Sequence, residues 1–308
     1  MTQLPDHFSV SQLTTFLSCS LAYRFRYVDH VETGLKSSSF ALGTAFHCAA
    51  EQLHKDMIAG TVREQAAYLA VFDDSLDLEF GNFDVQLKAG ESIDSLHQEG
   101  RALLSLYCEH RVRQPAKLVA AELCVKRPLV NIATGDELDV PFVAYLDLVE
   151  RDGGNIAVVD LKTAARAYAQ DDVDANLQLT AYALLMLLQA GKAPEHLRID
   201  ALIRTKTPKL QQLVTTRCER DFLRFFELAR IVRAAIEEGN YYPNAGWACS
   251  NCEFARECGD WGLAAESSHS AVKGGISSAC WNQSDRLGRP GAGHAAGDRV
   301  LAVVADVN

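Results

Sequence analysis

The chain of 308 residues is 48% hydrophobic and 23% charged, with a formal net charge of −10 at pH 7. That composition is typical of a soluble globular protein that can bury a large core, in one large domain or two smaller ones. No apolar run is long enough to span a bilayer and no signal-peptide pattern follows the polar start, so we expect a cytoplasmic protein without a membrane partner. Its nine cysteines then indicate metal ligation or reduced thiols rather than disulfides.

The charge is distributed unevenly along the chain. Residues 50–110 hold twelve acidic and four basic residues, whereas residues 196–233 hold nine basic and four acidic ones. A basic stretch on an acidic protein is compatible with nucleic-acid binding, and equally with a solvated helix face. The charge pattern therefore does not decide between these two interpretations.

The first third of the chain is predicted to be mainly helical. Ser9 or Ser11 can cap a helix that runs towards Cys19, and residues 33–39 have the composition of a loop. The next helix is predicted to open at Gly43. Apolar residues recur at helical spacing over 43–59, 62–80 and 92–113, and residues that end helices, such as Gly and Asn, separate these segments. We therefore predict three helices here.

From residue 118 onwards the pattern of apolar residues indicates strands as well as helices. An Asp-Gly-Gly-Asn turn joins two of the strands, and glycines end the two long helices. The predicted order is strands over 118–130, 139–150 and 156–163, a helix over 173–190, strands over 199–204 and 211–216, and a helix over 219–238. This order predicts a mixed sheet flanked by helices, an α/β (α+β) fold. Residues 262–308 read as a disordered tail, and the sequence contains no Gly-x4-Gly-Lys-Ser/Thr loop of an ATP-driven motor.

One strand ends in an acid-x-lysine triplet. Asp160 and Lys162 project from the same side of that strand, and Asp147 joins them if it lies on the neighbouring strand. Two carboxylates can hold Mg²⁺ or Mn²⁺, and a lysine beside the ion can orient or deprotonate a water. This predicts metal-assisted phosphodiester hydrolysis. The Asp-x-Lys triplet is common, however, and its two charged residues most often form a solvated pair on the surface.

A second pattern is the C-x2-C-x5-C spacing of Cys249, Cys252 and Cys258, which we call the cysteine claw. Three thiolates need a fourth ligand to hold a tetrahedral zinc or a cubane iron–sulfur cluster, and Cys19 is the candidate. Buried structural thiols are the alternative interpretation. The polar surroundings of the claw favour metal ligation.

Two further pairs are spaced four residues apart on predicted helices and so share a helix face. The first is His47 with Glu51, where small residues would let the helix pack closely against a sheet and bring His47 to the metal. The second is Gln178 with Tyr182, which suits holding a phosphate or orienting the lysine. A structural histidine and a solvated amide are the plainer alternatives for each.

Taken together, these residues occur along the chain in an order that resembles the RecB-type branch of the PD-(D/E)XK nuclease superfamily. The likeness extends to its Cas4-like and AddB-type iron–sulfur members and covers residues 9 to about 261. It departs from the family at two positions, with Asp160 where many members have Glu and Ser20 where proline is frequent. The resemblance implies a PD-(D/E)XK core within a nuclease domain over 1–261, divided into a helical part (1–115), a catalytic αβ core (116–240) and the cysteine claw (241–261).

The resemblance also implies roles for individual residues. The divalent metal, Mg²⁺ or Mn²⁺, would be bound by His47, Asp147, Asp160 and the backbone carbonyl of Leu161. Lys162 would position or activate the attacking water, and Gln178 and Tyr182 would match the family's Gln-x-x-x-Tyr motif. A [4Fe–4S] cluster joining the two ends of the domain would be bound by Cys19, Cys249, Cys252 and Cys258.

The expected activity is that of a metal-dependent DNA exonuclease acting on single strands or DNA ends. Because the sequence contains no motor motif, a helicase, a recombination protein or a CRISPR adaptation complex would be its partner. One alternative is a non-catalytic DNA-binding or assembly subunit with the same fold and cluster. Another is an interaction protein held together by zinc.

Overall fold

A computed structural model describes residues 5–113, 116–152 and 154–261 of the protein. In these residues a six-stranded mixed sheet is flanked by helices, which confirms the predicted α/β (α+β) class. The tail predicted over 262–308 lies outside the described residues. The division of 1–261 into a helical part, a catalytic core and the cysteine claw stays a prediction.

The chain enters the sheet through the short strand β1 (Phe8–Ser9). Of the two serines predicted as the first N-cap, Ser9 is the one that serves, because its Oγ accepts a hydrogen bond from the Gln12 amide. Two helices follow, α1 (Val10–Ser18) and α2 (Ser20–Tyr27). They are separated by Cys19, whose backbone is extended.

A helical layer follows. It consists of α3 (Ser38–Ala59), α4 (Gln65–Asn82) and α5 (Ile93–Arg113). Two short strands, β2 (Leu35–Ser37) and β3 (Asp84–Gln86), pair in parallel beside it. The prediction of a loop over 33–39 and of a helix start at Gly43 was therefore wrong, because the Ser37 side chain caps α3 by accepting from the Phe40 amide.

The central sheet is completed by five strands. In chain order they are β4 (Lys117–Val130), β5 (Glu137–Asp152), β6 (Asn155–Ala164), β7 (His196–Ile203) and β8 (Lys209–Thr215). β5 pairs with β4 and β6 in antiparallel fashion, and with β1 in parallel near its start. β6 and β7 are parallel, and β7 and β8 are antiparallel.

The helix predicted over 173–190 is two helices, α6 (Gln170–Asp174) and α7 (Leu177–Ala190). The break occurs because Asn176 caps α7, and because Arg217 donates hydrogen bonds to the backbone carbonyls of Val173 and Asn176. The chain then forms α8 (Glu219–Glu237), a short 3-10 turn (Trp247–Asn251) and α9 (Ala255–Gly259).

The sheet is covered on both faces, and a core lies on each side. Leu161 of β6 and Leu202 of β7 pack into the core formed with α3, α4 and α5. Val158 and Ile199 on the same two strands pack into the larger core formed with α1, α7 and α8. Among the helices of the described ranges, none has the length and apolarity needed to cross a membrane.

Candidate functional site

The end of the ladder between β5 and β6 brings two of the predicted acids together. The antiparallel ladder ends at the pair Leu148–Val159, so the next step along the two strands reaches Asp147 and Asp160. There the backbone amide of Leu161 donates to Asp147 Oδ2 at 2.7 Å. The Asp147 carboxylate thus replaces a backbone carbonyl as the acceptor. This hydrogen bond holds Asp147 beside β6, which continues past the end of the ladder.

A third carboxylate lies on the other side of β5. The neighbours of Glu122 on β4 pair with the neighbours of Asp147, so Glu122 is opposite Asp147 in the sheet. The three acids Glu122, Asp147 and Asp160 therefore form a row across three adjacent strands. No sequence pattern marks Glu122 as a site residue.

The regular alternation of side chains is interrupted at this row. Core-facing residues are spaced by three instead of two from Ala120 to Leu123 on β4 and from Leu146 to Val149 on β5. Glu122 also has a left-handed backbone, with φ of 48°. The register between β4 and β5 also shifts nearby, between Leu118 and Ala120. Bulges of this kind redirect side chains and are frequent beside active sites. Here they occur at the two strands that carry Glu122 and Asp147.

His47 reaches the row from helix α3. Its Nδ1 lies 3.9 Å from Asp147 Oδ2. The approach is close because α3 carries small residues on its inner side. Ala45 and Ala49 are fully buried, and a Cβ on Gly43 would lie 3.4 Å from the Thr163 hydroxyl of β6.

Lys162 connects the acidic row to helix α7. Its Nζ donates to Asp160 Oδ1 at 3.0 Å and to Gln178 Oε1 at 3.2 Å. The Gln178 amide in turn donates to the hydroxyl of the buried Tyr182. The predicted Gln178–Tyr182 pair is thus in contact with the lysine. Because Gln178 is fixed at both ends of its amide, it holds the ammonium in one position.

The buried acids exceed the positive charge available to them. Burial raises the pKa of Asp160 to about 6 and raises that of Asp147, in each case against the opposing charge of Lys162. Burial would lower the pKa of Lys162, but the charges of Asp160 and Asp147 raise it. Lys162 is therefore an ammonium at neutral pH. One ammonium does not neutralise Asp147 and Asp160 together, so the site favours a further cation.

The donor atoms are of the right kind for a hard divalent cation. In the described ranges, one group of three or more His, Cys, Asp or Glu side chains has its ligand atoms within 4.8 Å of one another, namely His47, Glu122 and Asp147. Asp160 is not in that group; its wholly buried carboxylate contacts the Lys162 ammonium through both oxygens, at 2.9 Å and 3.0 Å. Carboxylates with one imidazole suit Mg²⁺ and especially Mn²⁺.

Not every predicted site residue enters this group. Glu51, which shares a helix face with His47, contacts the Lys55 ammonium at 2.5 Å. Leu161 contributes its backbone amide to Asp147, while its side chain is part of the core.

The four predicted cysteine ligands come together at one corner of the fold. Cys19 Sγ accepts from the Asn244 amide at 3.5 Å, and Cys249 Sγ lies 3.9 Å from the Asn244 carbonyl oxygen. Cys252 and Cys258 pack with Cys19 against Leu21, Phe25 and Phe254. Burial and the nearby charges of the other three thiols raise the pKa of Cys258. The cysteines nevertheless form no group within 4.8 Å in the described part of the chain.

Removing the Asp160 charge should stabilise the protein when no divalent cation is present. Its pKa of about 6 lies above the ordinary 3.8, so ionising Asp160 destabilises the fold as the pH rises from about 4 to about 6. A shift of this size corresponds to about 3 kcal/mol. In EDTA at about pH 7.5, Asp160→Asn should therefore melt at a higher temperature than wild type. The gain should shrink by about half near pH 5, where wild-type Asp160 is mostly protonated.

Asp200→Asn is the matched control for this measurement. Asp200 is equally buried, but Arg198 donates to both of its carboxylate oxygens, at 2.6 Å and 3.1 Å. Its removal should lower the melting temperature under the same conditions. A lower melting temperature for Asp160→Asn as well would contradict the excess of negative charge in the row.

Comparison with known proteins assigns the family. Residues 7–259 match the model of the PD-(D/E)XK nuclease superfamily. A candidate exonuclease from Eubacterium rectale is similar in structure, with a TM-score of 0.49 and 14% identity over 88% of this chain and 91% of that one. The protein SSO0001 is similar with a TM-score of 0.33 and 15% identity, over 80% and 92% of the two chains. Curated protein sequences gave no match. With both TM-scores below 0.5, the sequence match is what decides, and the chain belongs to the PD-(D/E)XK nuclease superfamily.

Proposed function

We propose that this protein is a metal-dependent nuclease that hydrolyses DNA phosphodiesters at single strands or DNA ends. The observation that carries the proposal is the row of acids beside Lys162. Asp147 and Asp160 are both largely buried, and the Lys162 ammonium is fixed 3.0 Å from Asp160 Oδ1. Family membership supplies the reaction class, and this geometry supplies residues that can perform it.

Each residue has a distinct task in this proposal. His47 and Asp147 hold the cation, and Asp160 adjoins them while it fixes the lysine. A divalent cation bound there would polarise the phosphodiester and stabilise the charge that develops on its oxygens. Lys162 has three N–H donors, of which Asp160 and Gln178 use two. The third can hold the attacking water or a phosphate oxygen. Since Lys162 is already protonated, it orients the water rather than removing its proton.

Loss of either charged residue should abolish cleavage while the protein still folds. We expect Lys162→Ala and Asp160→Ala to lower kcat by about 100- to 1,000-fold, because each removes stabilisation of the transition state. EDTA should silence the wild type, and Mn²⁺ or Mg²⁺ should restore it while Ca²⁺ does not. The measurement is cleavage of end-labelled single- and double-stranded DNA.

The control for the lysine is Lys192→Ala, which removes an exposed ammonium paired with Glu195 and should leave the rate unchanged. Full activity of wild type after exhaustive chelation, or of Asp160→Ala, would overturn the assignment. A non-catalytic DNA-binding subunit with the same fold would show no cleavage under any metal condition. The pattern of results therefore separates the enzyme from this alternative.

DNA as the substrate is supported by exposed cations near the site. Arg166 and Lys206 lie in the loops beyond β6 and β7, and Lys209 is the first residue of β8. All three are exposed and take part in none of the ion pairs of the described ranges. These loops leave the sheet at the same end as Lys162, since the Arg204 amide donates to the Ala164 carbonyl at 2.7 Å. By contrast, much of the basic stretch over 196–233 is used internally, since Arg198, Arg204, Arg230 and Arg233 pair with acids.

Removing these exposed cations should weaken DNA binding. We expect Lys206→Ala/Lys209→Ala to bind single-stranded DNA less tightly, with a less steep dependence of affinity on salt, because each lost phosphate contact lowers the slope by about 0.7. Fluorescence anisotropy in EDTA at several salt concentrations measures both quantities without cleavage. Lys117→Ala/Lys126→Ala is the control, since it removes two exposed charges of β4. Equal affinities and slopes for the two double variants would contradict DNA contact at these loops.

We also propose that the protein belongs to the RecB- and Cas4-like branch with a [4Fe–4S] cluster, held by Cys19 and the cysteine claw. Support comes from the convergence of all four thiols at one corner. The same four thiolates could instead hold a tetrahedral zinc, which is the alternative that the next experiment separates from the cluster.

Replacing one distant ligand should remove the whole cluster. We expect Cys19→Ala, purified anaerobically, to lose visible absorption, iron and sulfide, to melt at a lower temperature and to bind DNA less well. Cys124→Ala is the control, because Cys124 is an exposed thiol of β4 far from the claw in sequence. Full iron and sulfide content in Cys19→Ala would contradict this ligand set. A colourless wild type that contains zinc would favour an interaction protein held by zinc.

A helicase, a recombination protein or a CRISPR adaptation complex is the kind of partner we propose for this nuclease. The proposal follows from the chemistry of the sequence, which contains no phosphate-binding loop of an ATP-driven motor. An enzyme acting on single strands or ends depends on another protein to expose them. Co-purification with such a motor, retained after nuclease treatment of the DNA, would support the pairing.

A further inference from the structure

Phe40 is an exposed aromatic side chain on the helix that carries His47. It lies in the first turn of α3 and is 49% exposed. Phe40 precedes His47 by seven residues, which is two helical turns, so both side chains project from the same face of α3, about 10 Å apart along its axis. We infer that the Phe40 ring is a platform on which a base of single-stranded DNA stacks. This inference rests on the proposed nuclease function and adds a substrate-binding residue to it.

The first argument is the path of this face of α3 along the ends of the strands. At Ser39 the helix lies beside the end of β7, because Arg204 Nη1 donates to the Ser39 hydroxyl at 3.0 Å. At Gly43 the helix packs closely against β6, and at His47 it reaches the acidic row. A DNA strand with one phosphate at the acidic row can therefore follow α3 to the Phe40 ring.

The second argument is that the Phe40 ring is held in place from one side. Lys36 Nζ lies over this ring, 4.8 Å from its centroid, and 4.5 Å from the centroid of the Phe83 ring. The same ammonium pairs with Glu79, and both of these charged side chains are buried. The cation occupies one face of the Phe40 ring and leaves the opposite face for a base. A ring that is already fixed loses little conformational freedom when a base stacks on it.

The third argument is the positive charge beside the ring. Lys88 Nζ donates to the hydroxyl of Ser39, the residue before Phe40, at 2.6 Å, and its side chain is mostly exposed although Glu91 is 4.0 Å away. Lys206 is exposed in the loop after β7, the strand whose end contacts Ser39. Proteins that bind single strands combine cations, which hold the phosphates, with aromatic rings on which the bases stack. Both components are present at this end of α3.

The affinity for single-stranded DNA in EDTA tests the inference without relying on cleavage. We expect Phe40→Ala to bind a labelled oligonucleotide about 5- to 150-fold more weakly in fluorescence anisotropy, because one stacked base is lost. The dependence of affinity on salt should keep the slope of wild type, since the ring carries no charge. Ile58→Ala is the matched control. It removes an apolar side chain that is 45% exposed at the other end of α3, and it should bind as wild type.

Two further substitutions separate stacking from apolar packing. Phe40→Trp keeps an aromatic face and should bind at least as tightly as wild type. Phe40→Leu keeps apolar bulk without a ring and should bind nearly as weakly as Phe40→Ala. Equal affinities of the Trp and Leu variants would overturn the inference. Circular dichroism and melting of each variant establish that folded proteins are being compared.

An oligonucleotide that lacks one base locates the contact. A stable abasic analogue is placed at each position of the strand in turn, and its effect on affinity is measured for wild type and Phe40→Ala. At the position that stacks on Phe40, the missing base should weaken wild type but not the variant, because the variant has already lost that interaction. The absence of any position with this coupling would also overturn the inference.

The results distinguish the inference from the proposed function. If wild type binds and cleaves single-stranded DNA, and Phe40→Ala does so equally well, then Phe40 is only an exposed side chain and the nuclease proposal stands. If wild type neither binds single strands nor cleaves them, the proposed function is wrong, and this inference falls with it.

Discussion

The hydrogen bond from the Leu161 amide to the Asp147 carboxylate is the interaction on which the site depends. This 2.7 Å hydrogen bond follows the last pair of the β5–β6 ladder, Leu148 and Val159, and joins the two strands where backbone pairing ends. The amide is satisfied by a side chain, so the two strands can separate without leaving a buried donor unpaired. Beyond that point β6 continues beside β7 alone, and Asp160 and Lys162 have space on the side of helix α7. A backbone pair at the same place would have closed the site.

The shortage of positive charge is confined to the site, as a comparison with a neighbouring buried acid shows. Glu150 lies three residues beyond Asp147 on β5 and is similarly buried. Burial would raise its pKa, but Arg198 and Arg111, at 2.9 Å and 2.5 Å, lower it instead. Asp147 and Asp160 share a single lysine, and their pKa values rise. The fold can neutralise a buried acid with arginines, whereas the ammonium beside Asp147 and Asp160 is that of Lys162.

The sequence predicted most of the elements and most of the site because the relevant signals are local. Alternation on a strand places Asp160 and Lys162 on one side, and helix periodicity places Gln178 with Tyr182. Glu122 was not predicted as a site residue because its contact with Asp147 depends on the register between two strands. That register shifts at irregular points, and a pattern of apolar residues does not reveal where they occur. The helix break before Asn176 was missed for a similar reason, since a distant residue, Arg217, binds its carbonyl groups.

The corner of the fold that holds Cys19 and the cysteine claw is connected to the acidic row by a short stretch of regular structure. Cys19 follows α1, and Ser9, which caps α1, pairs with Val143 on β5, four residues before Asp147. The two ends of the domain are also joined without any metal, because the Leu21 amide and the Ser20 hydroxyl both donate to the Tyr242 carbonyl, each at 3.1 Å. A cluster at this corner would therefore reinforce a junction that already exists. Its contribution would be to keep α1 and β1 fixed against β5, because β1 is too short to hold that position through its own few hydrogen bonds.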